Sequence, residues 1–151
     1  MSIQNKIQHH FYSKQEERVN ILSHGFGLVL SIIGFIFLLL RALGNGNSIY
    51  IFSLTIFGLS LILLYTASTL YHSTQEPVAR NRYRTLDMIA IYVLIAGSYT
   101  PYALVMLKGI EGWKLFGIMW LIAFVGAIWK IFTTGKYNAI STILYLCMGY
   151  I

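Results

Sequence analysis

Charged residues are scarce in this chain. Only 11% of its 151 residues are Asp, Glu, Lys or Arg, while 57% are hydrophobic; an average soluble domain has about 25% charged residues. This shortage excludes a water-soluble globular domain. The apolar residues form continuous blocks long enough to cross a bilayer, for which a helix needs roughly 20 residues, and they lack the alternation of a lumen-lining barrel strand. The sequence therefore predicts an all-α fold, a polytopic transmembrane helical bundle embedded in a lipid bilayer.

Cysteine is almost absent as well. The single Cys147 excludes an internal disulfide and a metal site built from thiolates. Because it lies in an apolar block, we expect a buried residue without a role of its own.

Acidic residues are fewer than basic ones, five against eleven Lys and Arg, which gives a net charge of +6. A nucleic-acid partner would call for a basic stripe on one surface, whereas these cations lie between the apolar blocks. We therefore expect no nucleic-acid partner, and we interpret the basic residues as determinants of membrane topology.

Four apolar blocks predict four spans, at about 20–43, 49–71, 86–107 and 113–132. Residues 1–15 are predicted to form a polar cytoplasmic arm, and residues 16–151 a single transmembrane domain. The last block, 140–151, is too short to cross a bilayer at 1.5 Å per residue, so the chain is expected to stop inside a fifth span. Pro101 lies inside the third span and predicts a bend near Ser98, and residues 108–114 and 130–138 are predicted loops.

The distribution of basic residues predicts the orientation of the bundle. Eight of the eleven Lys and Arg fall on the side that carries the N-terminus, and only Arg41, Lys108 and Lys114 on the other. The positive-inside rule then places the N-terminus in the cytoplasm.

Polar side chains collect where the second span ends and the third begins. Tyr65, Ser68 and His72 are spaced by three and four residues and share one helix face, and Asp87 lies near the start of the next span. Ionisable groups inside a membrane are costly and usually face the bundle interior, so we interpret Ser68, His72 and Asp87 as candidate site residues.

The first span brings further polar residues to the same membrane face. Glu17, Asn20 and His24 follow one another at helical spacing, and they could meet the second and third spans there. We expect them, together with Tyr65, to support the site.

Each of these residues also has an ordinary structural explanation. His24 could hydrogen-bond a neighbouring helix, and Ser68 could bond its own backbone carbonyl. His72 could be a hydrated imidazole near the interface. Asp87 could be a first-turn residue favoured by the helix dipole, or a partner for an arginine. Tyr65 could belong to an aromatic belt.

Together the motifs resemble the hemolysin III family, the bacterial branch of the progestin and adipoQ (adiponectin) receptor family, which is grouped with ceramidase-like membrane hydrolases. The resemblance rests on E-x-x-N-x-x-x-H at 17–24, S-x-x-x-H at 68–72, Asp87, GSYTP at 97–101 and LYLCMGY at 144–150, and it extends over residues 16–151. It implies a fold of seven spans with the N-terminus inside.

The resemblance also implies a zinc ion near the cytoplasmic face. His72 corresponds to one of its ligands, Ser68 to the serine beside the metal, and Asp87 to the aspartate that reaches a metal-bound water. The other two ligands belong to an H-x-x-x-H motif on the last span, which this sequence does not contain. We therefore expect this chain, taken alone, to bind zinc weakly or not at all.

Three functions remain open at this stage. The first is a zinc-dependent hydrolase of lipid amides or esters, active in full-length relatives, in a bacterial inner membrane. The second is a non-enzymatic membrane sensor or lipid-homeostasis protein. The third is a pore-forming cytolysin, which the family name implies and which would need a continuous polar path through the bundle.

Reporter fusions test the predicted orientation. A reporter fused after Asn45 is expected to behave as periplasmic and one fused after Arg82 as cytoplasmic, because the basic excess retains its side in the cytoplasm. The reverse pattern would place Ser68, His72 and Asp87 at the opposite membrane face.

Overall fold

The computed structural model describes residues 12–151, and in this range the chain is built from helices joined by short turns. α1 spans Lys14–Asn45, α2 Ser48–Ser73, α3 Pro77–Pro101, α4 Gly109–Thr133 and α5 Asn138–Gly149, with a π-helical segment at Tyr102–Leu107. Among the described residues, four helical segments are long and apolar enough to cross a membrane: 14–45, 48–73, 77–107 and 109–133. The prediction of an all-α bundle of membrane helices is confirmed.

The helices begin earlier than hydropathy alone predicts. α1 begins at Lys14 because Ser13 and Glu16 form a reciprocal capping box, with the Ser13 hydroxyl accepting from the Glu16 N–H and the Glu16 carboxylate from the Ser13 N–H. α1 thus includes the last two residues of the predicted arm 1–15, and positions 1–11 of that arm lie outside the described residues.

α3 also begins early, at Pro77, so the connection from α2 is only three residues long, 74–76. Pro77 occupies the first turn, where a missing N–H costs nothing. The Glu76 carboxylate accepts hydrogen bonds from the N–H groups of Ala79 and Val78, at 2.6 and 2.9 Å. These bonds stabilise the ionised form and lower the pKa of Glu76. The basic segment 80–84, predicted to be a loop, is consequently the first part of a helix.

Two other predicted loops are largely helical. α4 begins at Gly109, where Lys108 and Gly109 both have positive φ, so the expected loop at 108–114 is reduced to a tight turn. α4 continues to Thr133, so Lys130 lies in its last turn and not in a loop. Lys130 has no exposed surface and donates to the Ser141 hydroxyl of α5 at 2.8 Å.

Pro101 marks a change of helix type. α3 ends there and the chain continues as a π-helix through Leu107. The carbonyl of Ala96, close to the one that the proline ring frees, accepts from the Thr100 hydroxyl at 2.9 Å. The bend near Ser98 stays a prediction.

α1 packs against α2, α2 against α3, and α3 against both α4 and α5. The buried core lies between α3, α4 and α5 and contains Tyr92, Ala96, Met119, Ala123 and Met148.

Cys147 is exposed on the surface of α5, so the expectation that it is buried was wrong. Its neighbour Met148 occupies the inward position of that turn.

The order of the helices brings the start of α1, the end of α2 and the start of α3 to one end of the bundle, which we call the His72 end. The end of α4 is there too, since the Thr85 hydroxyl of α3 donates to that of Thr134 just past α4, at 2.9 Å.

Candidate functional site

A buried carboxylate joins the first three helices at the His72 end. Glu17 of α1 contacts Nδ1 of His72 on α2 through one oxygen, at 2.8 Å, and the guanidinium of Arg80 on α3 through the other. No more than 10% of any of these three side chains is exposed. Arg80 also donates to the carbonyls of Thr74 and Tyr71, at 3.0 and 3.3 Å. Each helix thus contributes one charged or titratable group to a single network.

Arg80 is the functional candidate that sequence reasoning missed. It was interpreted only as a topology determinant in a loop, yet its guanidinium lies 4.7 Å from the centre of the Tyr71 ring and inside the protein. The available signal was Pro77, which is typical of a helix start and would have put Arg80 in the first turn of α3.

The contact with Glu17 determines which side of the His72 imidazole is available. The Glu17 carboxylate, which is paired with Arg80, accepts a hydrogen bond from the N–H at Nδ1 of His72. The Nδ2 of Asn20 lies 3.5 Å from the same nitrogen, and because a protonated Nδ1 is itself a donor, this contact is not a hydrogen bond. Nε2 is then the nitrogen that carries a lone pair and that is left for the cavity which His72 lines.

A cavity of about 510 Å³ lies beside His72. The sequence-predicted residues that line it are His24, Tyr65, Ser68, His72 and Asp87, and the structure thus brings these five together. The remaining wall is mixed, with an apolar part and a part formed by tyrosines and one arginine: Leu64, Met88, Ile91, Tyr12, Tyr71 and Arg84.

Within the cavity, the polar side chains are arranged around Asp87. The Ser68 hydroxyl and the rings of His24 and His72 lie close enough to interact with the Asp87 carboxylate. The rings of His24 and His72 are 5.4 Å apart. Nδ1 of His24 is buried and has no hydrogen-bond partner among residues 12–151, so it is a polar atom available to a ligand or a water.

These contacts decide between several of the alternatives left by the sequence. Asp87 is ten residues past the start of α3, so it is not a first-turn residue stabilised by the helix dipole. Ser68 lies beside Asp87 in the lining of the cavity. Tyr65 lies edge-on to His24, with ring centres 6.2 Å apart, and so lines the cavity. Glu17 and Asn20, also predicted to support the site, lie behind His72 and contact Nδ1, outside the cavity lining.

Comparison with known sequences extends over the whole described chain. The family model described as "Haemolysin-III related" matches residues 12–151. The chain belongs to the hemolysin III family. It is 41% identical to a protein named "Hemolysin-3" from Bacillus cereus over 137 residues, which are 91% of this chain and 63% of that relative. It is 42% identical to a "Hemolysin-3 homolog" from Bacillus subtilis (strain 168) over 140 residues, 93% of this chain and 66% of the relative.

The chain therefore spans less than two thirds of the length of either hemolysin III relative. No solved structure matches the chain. The family and the four long apolar helices together establish a multi-pass membrane protein.

The zinc ion implied by the resemblance to the hemolysin III family fits the described residues only in part. His72 fits, because a ligating histidine usually donates a hydrogen bond from its other ring nitrogen to a carboxylate. Here that carboxylate is Glu17. Among residues 12–151, however, no three His, Cys, Asp or Glu side chains lie close enough together to hold a metal ion. Catalytic zinc sites use three protein ligands, so the described residues do not complete one.

A double-mutant cycle tests the buried network of this hemolysin III family member. Glu17→Gln is expected to lower the free energy of unfolding by about 3–5 kcal/mol, because it leaves the charge of Arg80 buried and unpaired. Arg80→Gln should cost a similar amount, and the double variant less than the sum of the two. The measurement is unfolding in detergent with increasing dodecyl sulfate.

The control pair is Glu111 and Lys114, which form an exposed salt bridge at 2.8 Å with both side chains more than 60% exposed. The same cycle on this pair should give little coupling. Equal effects for the two cycles would show that Glu17 is not the shared partner of α2 and α3.

Proposed function

We propose that this protein carries the cytoplasmic-face part of a membrane-embedded site that acts on the carbonyl of a lipid amide or ester, in a bacterial inner membrane. The observation that supports this most is the convergence of His72, Ser68 and Asp87 around one cavity. The apolar wall suits the chain of an amphiphile, and the polar wall suits its carbonyl end. In this proposal residues of α2 and α3 carry out the reaction, and residues of α1 position them.

In this proposal Asp87 holds or moves the proton. A general base must lie within hydrogen-bond reach of the proton that it takes, and Asp87 lines the cavity beside Ser68. The Ser68 hydroxyl also provides a donor for the oxygen of a tetrahedral intermediate. Because Asp87 faces two histidines, a proton it accepts has neighbouring groups that can share it.

The role of His72 is that of a positioned nitrogen donor. Glu17 fixes the ring and directs its N–H away from the cavity, which leaves Nε2 for a ligand. Zn²⁺ bound at such a site would polarise a carbonyl and acidify a water. The described residues supply only this one donor of the implied set, so we derive no reaction step through a metal.

The non-enzymatic alternative also has an observation in its favour. The Glu17 network joins α1, α2 and α3 without any ligand, as expected if the polar groups only stabilise the bundle.

No comparable observation favours a pore. The hydroxyls of Ser53, Ser60 and Thr100, buried within the spans, donate to carbonyls of their own helices.

Metal content tests this proposal. The purified 151-residue protein is expected to hold well below one zinc per chain, because the described residues supply too few ligands. A hybrid in which this chain is followed by the C-terminal third of the Bacillus subtilis relative should hold one zinc per chain and release fatty acid from a lipid amide or ester. His72→Ala should remove the zinc, and Asp87→Asn should remove the activity while the zinc stays bound.

Asp87→Asn separates the two candidate functions, because it is nearly isosteric and leaves the Glu17 network intact. A hybrid that binds zinc but releases no fatty acid from any amide or ester tested would favour the bracing function. One zinc held tightly by the 151-residue chain and lost in His72→Ala would contradict the incomplete ligand set.

A further inference from the structure

Two cations at the His72 end have no anionic partner among residues 12–151. Arg84 is a half-buried residue of α3, and Lys130 in the last turn of α4 has no exposed surface. They are close enough for their positive charges to repel. Lys130 donates one hydrogen bond, to Ser141, although an ammonium group has three donors. Arg84 forms no hydrogen bond or ion pair with another residue between positions 12 and 151.

No acidic side chain of this protein is available to pair with Arg84 or Lys130. Its sequence contains five Asp and Glu residues in all, and each of them is engaged elsewhere. The partners of four of them are Ser13 for Glu16, Arg80 and His72 for Glu17, the first N–H groups of α3 for Glu76, and Lys114 for Glu111. The fifth, Asp87, interacts with Ser68, His72 and His24. A negative charge that neutralises Arg84 and Lys130 therefore has to come from another molecule or from another segment.

The location indicates which negative charge that is. Uncompensated charges at the end of a membrane bundle are costly, and the head-group layer of anionic phospholipids lies at that depth. Basic pockets between membrane helices bind such head groups. Arg84 also lines the cavity, three residues before Asp87 on the same helix face, and the apolar side chains Leu64 and Ile91 line it as well.

We infer that Arg84, backed by the charge of Lys130, binds the phosphate group of an anionic phospholipid. The guanidinium fork matches two phosphate oxygens, and the apolar wall of the cavity receives part of the lipid chain. The inference goes beyond the proposed function, because it needs neither a metal nor hydrolysis.

Binding of fluorescent phosphatidylglycerol to the purified protein in a neutral detergent tests the inference. Unlabelled phosphatidylglycerol should displace the probe, and phosphatidylcholine should displace it at least about tenfold less well, because the cation pair favours a net negative head group. Arg84→Gln should weaken binding at least about tenfold, as expected for the loss of a charge-assisted bidentate contact. Displacement by inorganic phosphate as effective as that by phosphatidylglycerol would overturn the lipid as the source of the phosphate.

Arg82→Gln is the matched control. It removes the same charge from the same turn of α3, but Arg82 is exposed and does not line the cavity, so affinity should stay near that of the wild type. Equal losses in the two variants would show only a general attraction to the basic end, and no loss in Arg84→Gln would overturn the site directly.

A third variant guards against a folding defect. Arg84→Lys keeps the charge but loses the fork, and it should bind more weakly than the wild type while Arg82→Lys does not. Thermal unfolding in lipid-free detergent checks that each variant is folded. Wild-type affinity of Arg84→Lys would contradict the bidentate phosphate contact.

Discussion

The arrangement at the His72 end depends on the sharing of one buried carboxylate, that of Glu17, between an arginine and a histidine. A buried carboxylate is stable only when opposite charge and hydrogen bonds compensate it. Arg80 supplies the charge and His72 the second contact, and the three residues come from three different helices. The interaction therefore fixes the relative positions of α1, α2 and α3 and also the orientation of the His72 ring.

The rest of the bundle concentrates its polar chemistry at this end. Hydroxyl groups in the middle of the spans are satisfied by their own helices, and the indole N–H of Trp120 donates to the Thr100 hydroxyl at 3.1 Å. The core between α3, α4 and α5 is made of Ala, Met and Tyr. Ionisable side chains meet where α1 begins, α2 ends and α3 begins, so a ligand would find its binding groups within the first turns from one membrane face.

Much of this could be predicted from the sequence, because membrane helices are encoded by long apolar blocks and helical spacing places residues on a face. Tyr65, Ser68 and His72 could be grouped from their spacing alone. Asp87 and His24 could be joined to them only through the span order, and the structure brings them to the same cavity.

What could not be predicted was which cations lie inside. Hydropathy assigns Arg80 and Lys130 to loops, because it averages over windows and penalises charge wherever it occurs. Their burial depends on α3 beginning at Pro77 and α4 continuing to Thr133, and on partners in other helices: Glu17 for Arg80 and Ser141 for Lys130. Tertiary packing determines these partners, and the pattern of hydropathy along the sequence does not show which helices pack together.

The central claim is that Glu17 accepts a hydrogen bond from the Nδ1 N–H of His72, so that the lone pair of Nε2 is available to the cavity. Nitrogen-15 NMR of the histidine-labelled protein in bicelles, with His72 assigned by comparison with a His72→Gln variant, measures this directly. The account predicts a proton on Nδ1, a bare Nε2, and loss of this pattern in Glu17→Gln. A proton on Nε2 of the wild-type protein would contradict it.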